Sequence, residues 1–263
     1  MSRLFTHRSI LSILVVLLFC RVAFANEPKP ITLLFPELKG HHGKSLPIQK
    51  EIKLLVSFFE GETGLRFEIK AVPWNRVKWM IENGDGIAYG ISKAPERLSI
   101  YHYSLPIRKD KVWAITHGAA SLPINSVDDL RGRKVLMTRG TTYGLEFEQA
   151  KGQFFEVTES YNITPGHLLN LLKDTKNVVL WSQKESLDAQ QFTTFFHSVA
   201  LPSYNMPGLA TLQFNVSSKP IFFDTIHFAS GKNKFQVEMD LLDKAISRST
   251  QNGVLAKVLY GKK

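Results

Sequence analysis

The sequence predicts an α/β protein of two lobes, each an open sheet covered by helices, with strands crossing between them. Three observations carry this expectation. Short apolar strands alternate with amphipathic helical stretches, the pattern of an open α/β sheet. The alternation runs through once and restarts at Val112. The tail then offers one strand and one helix, too few to stand alone, so it is expected to return and complete the first unit.

The elements follow in order. Ile31 to Phe35 is a short apolar strand. Gln49 to Thr63 places Ile52, Leu55, Val56 and Phe59 at helical spacing, and Gly64 supplies the stop. Leu65 to Ala71 alternates as a strand, Pro73 opens a helix through Asn83 that Gly84 ends, and Gly86 to Ile91 is a strand. In the second series Val112 to Thr116 is a strand, and Ser126-Val127-Asp128-Asp129 caps a short helical turn. Lys134 to Thr138 is a strand, Thr141 to Ala150 and Pro165 to Asp174 are helices, and Asn177 to Trp181 is a strand. Ala210 to Val216 gives the last strand, and Gln236 to Asn252 a long amphipathic helix closed by Gly253. The expected division is 26–111 plus 208–263 for lobe one and 112–207 for lobe two. Ligands of such sheets bind at the carboxyl ends of the strands.

The first residues read as an export leader, 1–25. Arg3 and Arg8 precede an apolar run from Ile10 to Phe19, and Ala23-Phe24-Ala25 sets small residues three and one before a cut after Ala25. The run is short of the about 20 apolar residues a permanent span needs. Phe19 is bulky where lipoprotein processing at Cys20 would need a small residue. Cys20, the only cysteine, leaves with the leader, which excludes disulfides and thiol chemistry from the mature chain. The expected location is the periplasm. The formal charge of +10 loses three arginines with the leader, leaving +7 scattered among 23 acids with no basic run. That pattern argues against nucleic acid and for a basic surface that favours anionic ligands.

Four segments of the first series then stand out. They are Val72-Pro73-Trp74-Asn75-Arg76-Val77, Asn83-Gly84-Asp85-Gly86-Ile87, Gly90 through Arg97, and Tyr103-Ser104-Leu105-Pro106. Together they resemble the first-lobe signature of family 3 extracellular solute-binding proteins, the polar amino-acid receptors of ABC importers and their relatives. Asp129-Leu130-Arg131-Gly132-Arg133-Lys134-Val135 followed by Gly140-Thr141-Thr142 resembles the second-lobe signature. The resemblance implies the type II periplasmic-binding fold, a small-molecule ligand (an amino acid or organic anion) held by hinge closure, and handover to an inner-membrane ABC permease, although many relatives work without one; a monomer without cofactor is expected.

Each matched residue has a physical rationale. Arg97 lies just past a strand end with Ser92, and an arginine there can grip a carboxylate through two parallel charge-assisted bonds. The resemblance gives it that role. Thr141 and Thr142 follow Gly140 at an expected helix start, where N–H groups and hydroxyls suit an anion. Phe35 matches an aromatic ring over the ligand, against the alternative of a core phenylalanine. Tyr89 and Gly90 end a strand whose backbone can line the site. The acid with which amino-acid receptors hold an α-ammonium is absent: Ser182 stands nearest, after Val179-Leu180-Trp181. Trp181 is a stacking or cation–π candidate, and Glu37 is a further recognition candidate.

Enzyme signals are weak. Gly43-Lys44-Ser45 lacks the upstream glycine of a phosphate loop, no Gly-x-Ser-x-Gly occurs, and His41-His42 forms no two-ligand helical pair. The expectation is therefore ligand capture and not catalysis. The rivals are a dehydratase-like periplasmic enzyme on the same fold, for which Glu37 is the one acid–base candidate, and a ligand-binding sensory module.

Overall fold

The computed structural model describes residues 29–37, 45–118, 123–138, 142–160, 174, 176–184, 187–203, 209 and 212–261. The leader, Thr141, and all but the last residue of the helix expected over 165–174 lie outside them. The elements are β1 (Ile31–Pro36), α1 (Lys50–Thr63), β2 (Phe67–Val72), α2 (Trp74–Asn83), β3 (Ile87–Ser92), β4 (Tyr101–Tyr103) and β5 (Arg108–His117). They continue with β6 (Lys134–Thr138), α3 (Leu145–Ala150), β7 (Glu156–Ser160), β8 (Asn177–Lys184) and α4 (Ala189–Phe195), which runs on through a π-helical turn. The chain closes with β9 (Phe214–Val216), β10 (Phe222–Gly231), α5 (Gln236–Gln251) and α6 (Val254–Tyr260).

Among the described residues, all ten strands belong to one hydrogen-bonded ladder, ordered β2-β1-β3-β10-β5-β8-β6-β7, with β4 on β10 and β9 on β5. The two sheets are thus a single sheet serving two lobes. β1 pairs parallel with β2 and β3, and β6 parallel with β7 and β8. The central strands β10 and β5 run antiparallel to each other and to β3 and β8 respectively. Each central strand has ten residues, about 33 Å at 3.3 Å per residue, long enough to serve both lobes.

Strand alternation sorts the core into four clusters. In lobe one, Leu33 and Phe35 join Phe59 and Met239 beneath α1 and α5, whereas Leu34 joins Val77 and Ile81 beneath α2. In lobe two, Val112 and Ala114 join Phe147, whereas Trp113 and Ile115 join Phe192 and Phe196. Each lobe therefore has a layer of side chains on both faces of its strands.

Residues beyond the expected boundary at 208 still pack with the clusters of Trp113 and Val112. Leu209, Phe214 and Val216 pack with the Trp113 cluster, and Ile221 and Phe222 with the Val112 cluster. The chain rejoins the lobe-one core at Ile226 on β10. Between these two packings lie 223–225 on β10, whose partners on β5 are Lys111, Asp110 and Lys109. β10 escapes sequence reading because Asp224 occupies a buried phase of its alternation. α3 starts at Leu145, not Thr141, with Gly144 as its N-cap. α4 was not anticipated either. Its start carries a capping box: the Asp188 carboxylate accepts from the Gln191 N–H at 2.8 Å, and the Asp188 N–H donates to Gln191 Oε1 at 3.1 Å.

Gly90 has a backbone role. It has φ +91 and lies where the β10–β3 register slips between His227 and Phe228. That is a β-bulge with glycine in the left-handed region. It shifts the alternation by one, so that Ile87 and Tyr89 face one core while Ala88 and Ile91 face the other.

Candidate functional site

β3 ends at Ser92, and the chain turns through a 3₁₀ turn at Pro95–Arg97, with Pro95 pre-set for its first position. Arg97 is 8% exposed, although arginine is seldom buried without a partner. Its Nη1 donates to Thr142 Oγ1 at 2.8 Å. Its Nε lies 3.6 Å from Glu96 Oε1, and Glu96 is largely exposed. Lobe one thereby reaches lobe two through one guanidinium.

The crossing segments carry the charges that neither core claims. On β5, Arg108 meets Asp110 in a two-pronged pair, Nε to Oδ1 at 2.8 Å and Nη2 to Oδ2 at 3.1 Å. Arg108 Nη1 also donates to the Tyr89 hydroxyl at 2.9 Å, and Ser182 donates to Asp110 Oδ2 at 3.2 Å. On β10, Asp224 stands directly across from Asp110. It is 2% exposed. Ser92 donates to its Oδ2 at 2.5 Å, while its Oδ1 has no hydrogen-bond partner among the described residues. Burial, and then the neighbouring Asp110 and Glu148 charges, push its carboxyl up to about 7 against the Ser92 bond and the Thr225 backbone N–H.

Lobe two closes over this oxygen with the segment before α3. The Tyr143 N–H donates to Glu148 Oε1 at 3.0 Å, and its hydroxyl donates to Leu180 O at 3.2 Å. Burial raises the Tyr143 phenol well above its usual range. A β-carbon built on Gly144 would sit 3.2 Å from Asp224 Oδ1. Arg97 and Asp224 therefore touch the same short segment two residues apart, one at Thr142 and the other at Gly144.

The expected site residues separate accordingly. Arg97 and Thr142 meet directly, Ser92 meets Asp224, and Tyr89 joins through Arg108. Phe35 is 2% exposed and packs against the Tyr89 ring at 5.3 Å, inside the lobe-one core. Gly90 forms the bulge. Trp181 stands edge-on to Phe196 at 5.4 Å, on the face of β8 opposite the one that sends Ser182 to Asp110. Glu37 accepts from the Ser45 hydroxyl. Asp110, Arg108 and Asp224 were missed. Their signal is an acid standing in the buried phase of an apolar strand.

This two-lobed arrangement with its charges at the crossing is the periplasmic-binding fold of type II. No family model matches the chain, and no curated protein sequence does. Solved structures do. An amino-acid ABC transporter substrate-binding protein, AbpA of Streptococcus pneumoniae, bound to L-arginine, is 20% identical, with 88% of this chain and 92% of that one covered at TM-score 0.59. The GluR0 ligand-binding core with L-glutamate is 14% identical, covering 89% and 98% at TM-score 0.60. The VFT2 domain of Bordetella pertussis BvgS is 16% identical, covering 89% and 93% at TM-score 0.59. At these identities the likeness establishes the fold.

Proposed function

We propose that the chain is an exported solute-binding protein that closes two lobes around a small carboxylate-bearing ligand. The observation that carries this is Arg97, buried at the end of a lobe-one strand with a hydroxyl of lobe two within bonding reach. A guanidinium there can exchange Thr142 for a ligand carboxylate without being stranded, and Thr142 can then donate to the same anion. The lobes in this reading are 26–107 plus 226–263 and 112–222, hinged at 108–111 and 223–225. The leader pattern supports export with cleavage after Ala25, and the neighbours' association with ABC transporters supports delivery to a membrane permease.

The test uses the exported protein, whose first residue should be Asn26 by mass spectrometry. A thermal-shift screen finds a ligand, and calorimetry compares Arg97→Ala and Arg97→Lys with the parent. Losing a bond to a charged group costs about 1.5–3 kcal/mol, so alanine should weaken binding about ten- to hundredfold. Lysine should recover part of that, because a point charge replaces a planar fork. The ligand should be recovered chemically unchanged. Unaltered affinity in both variants would remove the carboxylate assignment.

A further inference from the structure

The segment that meets Arg97 from lobe two is secured from within α3. A helix start leaves backbone N–H groups to be satisfied, commonly by the side chain of the N-cap residue. The N-cap of α3 is Gly144, which has no side chain to offer, and a β-carbon there would sit 3.2 Å from Asp224 Oδ1. Glu148 does the work instead. It reaches back over the first turn, and its Oε1 accepts from the Tyr143 N–H at 3.0 Å. Its own N–H donates to Gly144 O at 3.2 Å. This is the reach-back half of a capping box, moved on by one residue.

Tyr143 is thereby fixed at two points. Its ring packs edge-on against Phe147 and Phe222 in the lobe-two core, and its hydroxyl donates to Leu180 O at 3.2 Å. Its N–H is held by Glu148. With ring and backbone both set, the residue before it presents its hydroxyl to Arg97. The Glu148 side chain is only 7% exposed, so water is poorly placed to replace it as acceptor.

We propose that Glu148 is a positioning residue of the anion site, holding the Tyr143 N–H so that Thr142 stands against Arg97. Its consequence for binding rests on the carboxylate reading of Arg97; the positioning itself does not. Holding an N–H needs an acceptor and not a charge. The charge has a separate effect. Glu148 lies within electrostatic reach of Arg97, where a carboxylate opposes a second anion. Glutamine keeps the acceptor and drops the charge, whereas alanine drops both.

The test uses the full mature protein. Without ligand, hydrogen exchange at the Tyr143 amide should be faster in Glu148→Ala and return toward the parent in Glu148→Gln. Thr142→Val should lower the denaturant midpoint of the parent and of Glu148→Gln, but not of Glu148→Ala, where Thr142 is already out of place. Calorimetry then titrates acetate, succinate, citrate and the twenty common amino acids. Each compound that binds the parent should bind Glu148→Ala about two- to tenfold more weakly, the scale of one hydrogen bond. Glu148→Gln should bind it as tightly as the parent or tighter. Unchanged Tyr143 exchange in Glu148→Ala overturns the proposal. So does a Thr142→Val effect of equal size in all three backgrounds, or a Glu148→Gln protein that binds as weakly as Glu148→Ala. A parent that binds nothing in the panel removes the carboxylate reading of Arg97, and exchange and the Thr142→Val comparison still decide the positioning.

Discussion

Asp224 and His227, three residues apart on β10, make opposite demands on pH. Asp224 is held near 7 in the fold against 3.8 as its ordinary value. Between those values the folded chain keeps a proton that the unfolded chain releases, so stability falls as pH rises from about 4 to 7. His227 is buried, and burial lowers it to about 4 from 6.5. Its Nδ1 faces the Ser104 carbonyl at 2.7 Å and its Nε2 the Thr225 hydroxyl at 2.9 Å. A carbonyl only accepts, so Nδ1 carries the proton and Nε2 accepts from Thr225. The neutral ring is satisfied, and stability falls as pH drops from 6.5 to about 4. Both effects occupy the same window with opposite sign, each on the order of 3 kcal/mol at its limit. Denaturant titrations without ligand should show Asp224→Asn gaining on the parent as pH rises toward 7. His227→Gln should gain on the parent as pH falls toward 4. Parallel pH curves for either variant and parent would refute the burial argument for that residue.

Among the elements, β3 shows how much one residue can set. The bulge at Gly90 lets its first half and its end serve opposite faces, which brings Ser92 to Asp224. Alanine at φ +91 meets the penalty of left-handed backbone, about 1–2 kcal/mol. The Gly90→Ala protein should lose that much stability by denaturant titration. It should also weaken ligand binding, since relief of the strain means removing the bulge and turning Ser92. Unchanged stability would show that the bulge tolerates a side chain. The same strand marks what was legible in the sequence. Parallel strands and amphipathic helices stated themselves by period, and the resemblance singled out Arg97. β10 did not, because an acid and a histidine interrupt its apolar phase. Side-chain alternation also decides whether Phe35 and Trp181 face a cleft or a core, and a bulge or a second aromatic layer alters that from a distance.

At the scale of the molecule, both crossings are short, adjacent and paired: Asp110 with Asp224, and Val112 with Phe222. Neighbouring segments that absorb a bend together make a hinge. In the proposed closure, Arg97–Thr142 is the contact across that hinge that the ligand exchanges. Small-angle scattering of the mature protein should therefore show a larger radius of gyration without ligand than with it. Arg97→Ala should keep the larger radius at ligand concentrations that compact the parent. An identical radius in all samples would mean a rigid pair of lobes and would refute hinge closure.

The place of β10 in the ladder also governs the order in which the chain can fold. It sits between β3 and β5, and its residues pair with strands more than a hundred positions earlier. α5 follows it and supplies Met239, Leu242, Ala245 and Ile246 to the lobe-one core. A nascent chain that stops before Phe222 leaves β3 an open edge, Leu33 and Phe59 without their cover, and Ser92 without Asp224. Lobe two meanwhile lacks Phe222 alone from its Val112 cluster once Ile221 is made. The inserted lobe can thus gather first, while the lobe that begins the chain waits for its end. Such long-range pairing is slow to form. In the export proposed above, a precursor that crosses a membrane unfolded gains time from that delay.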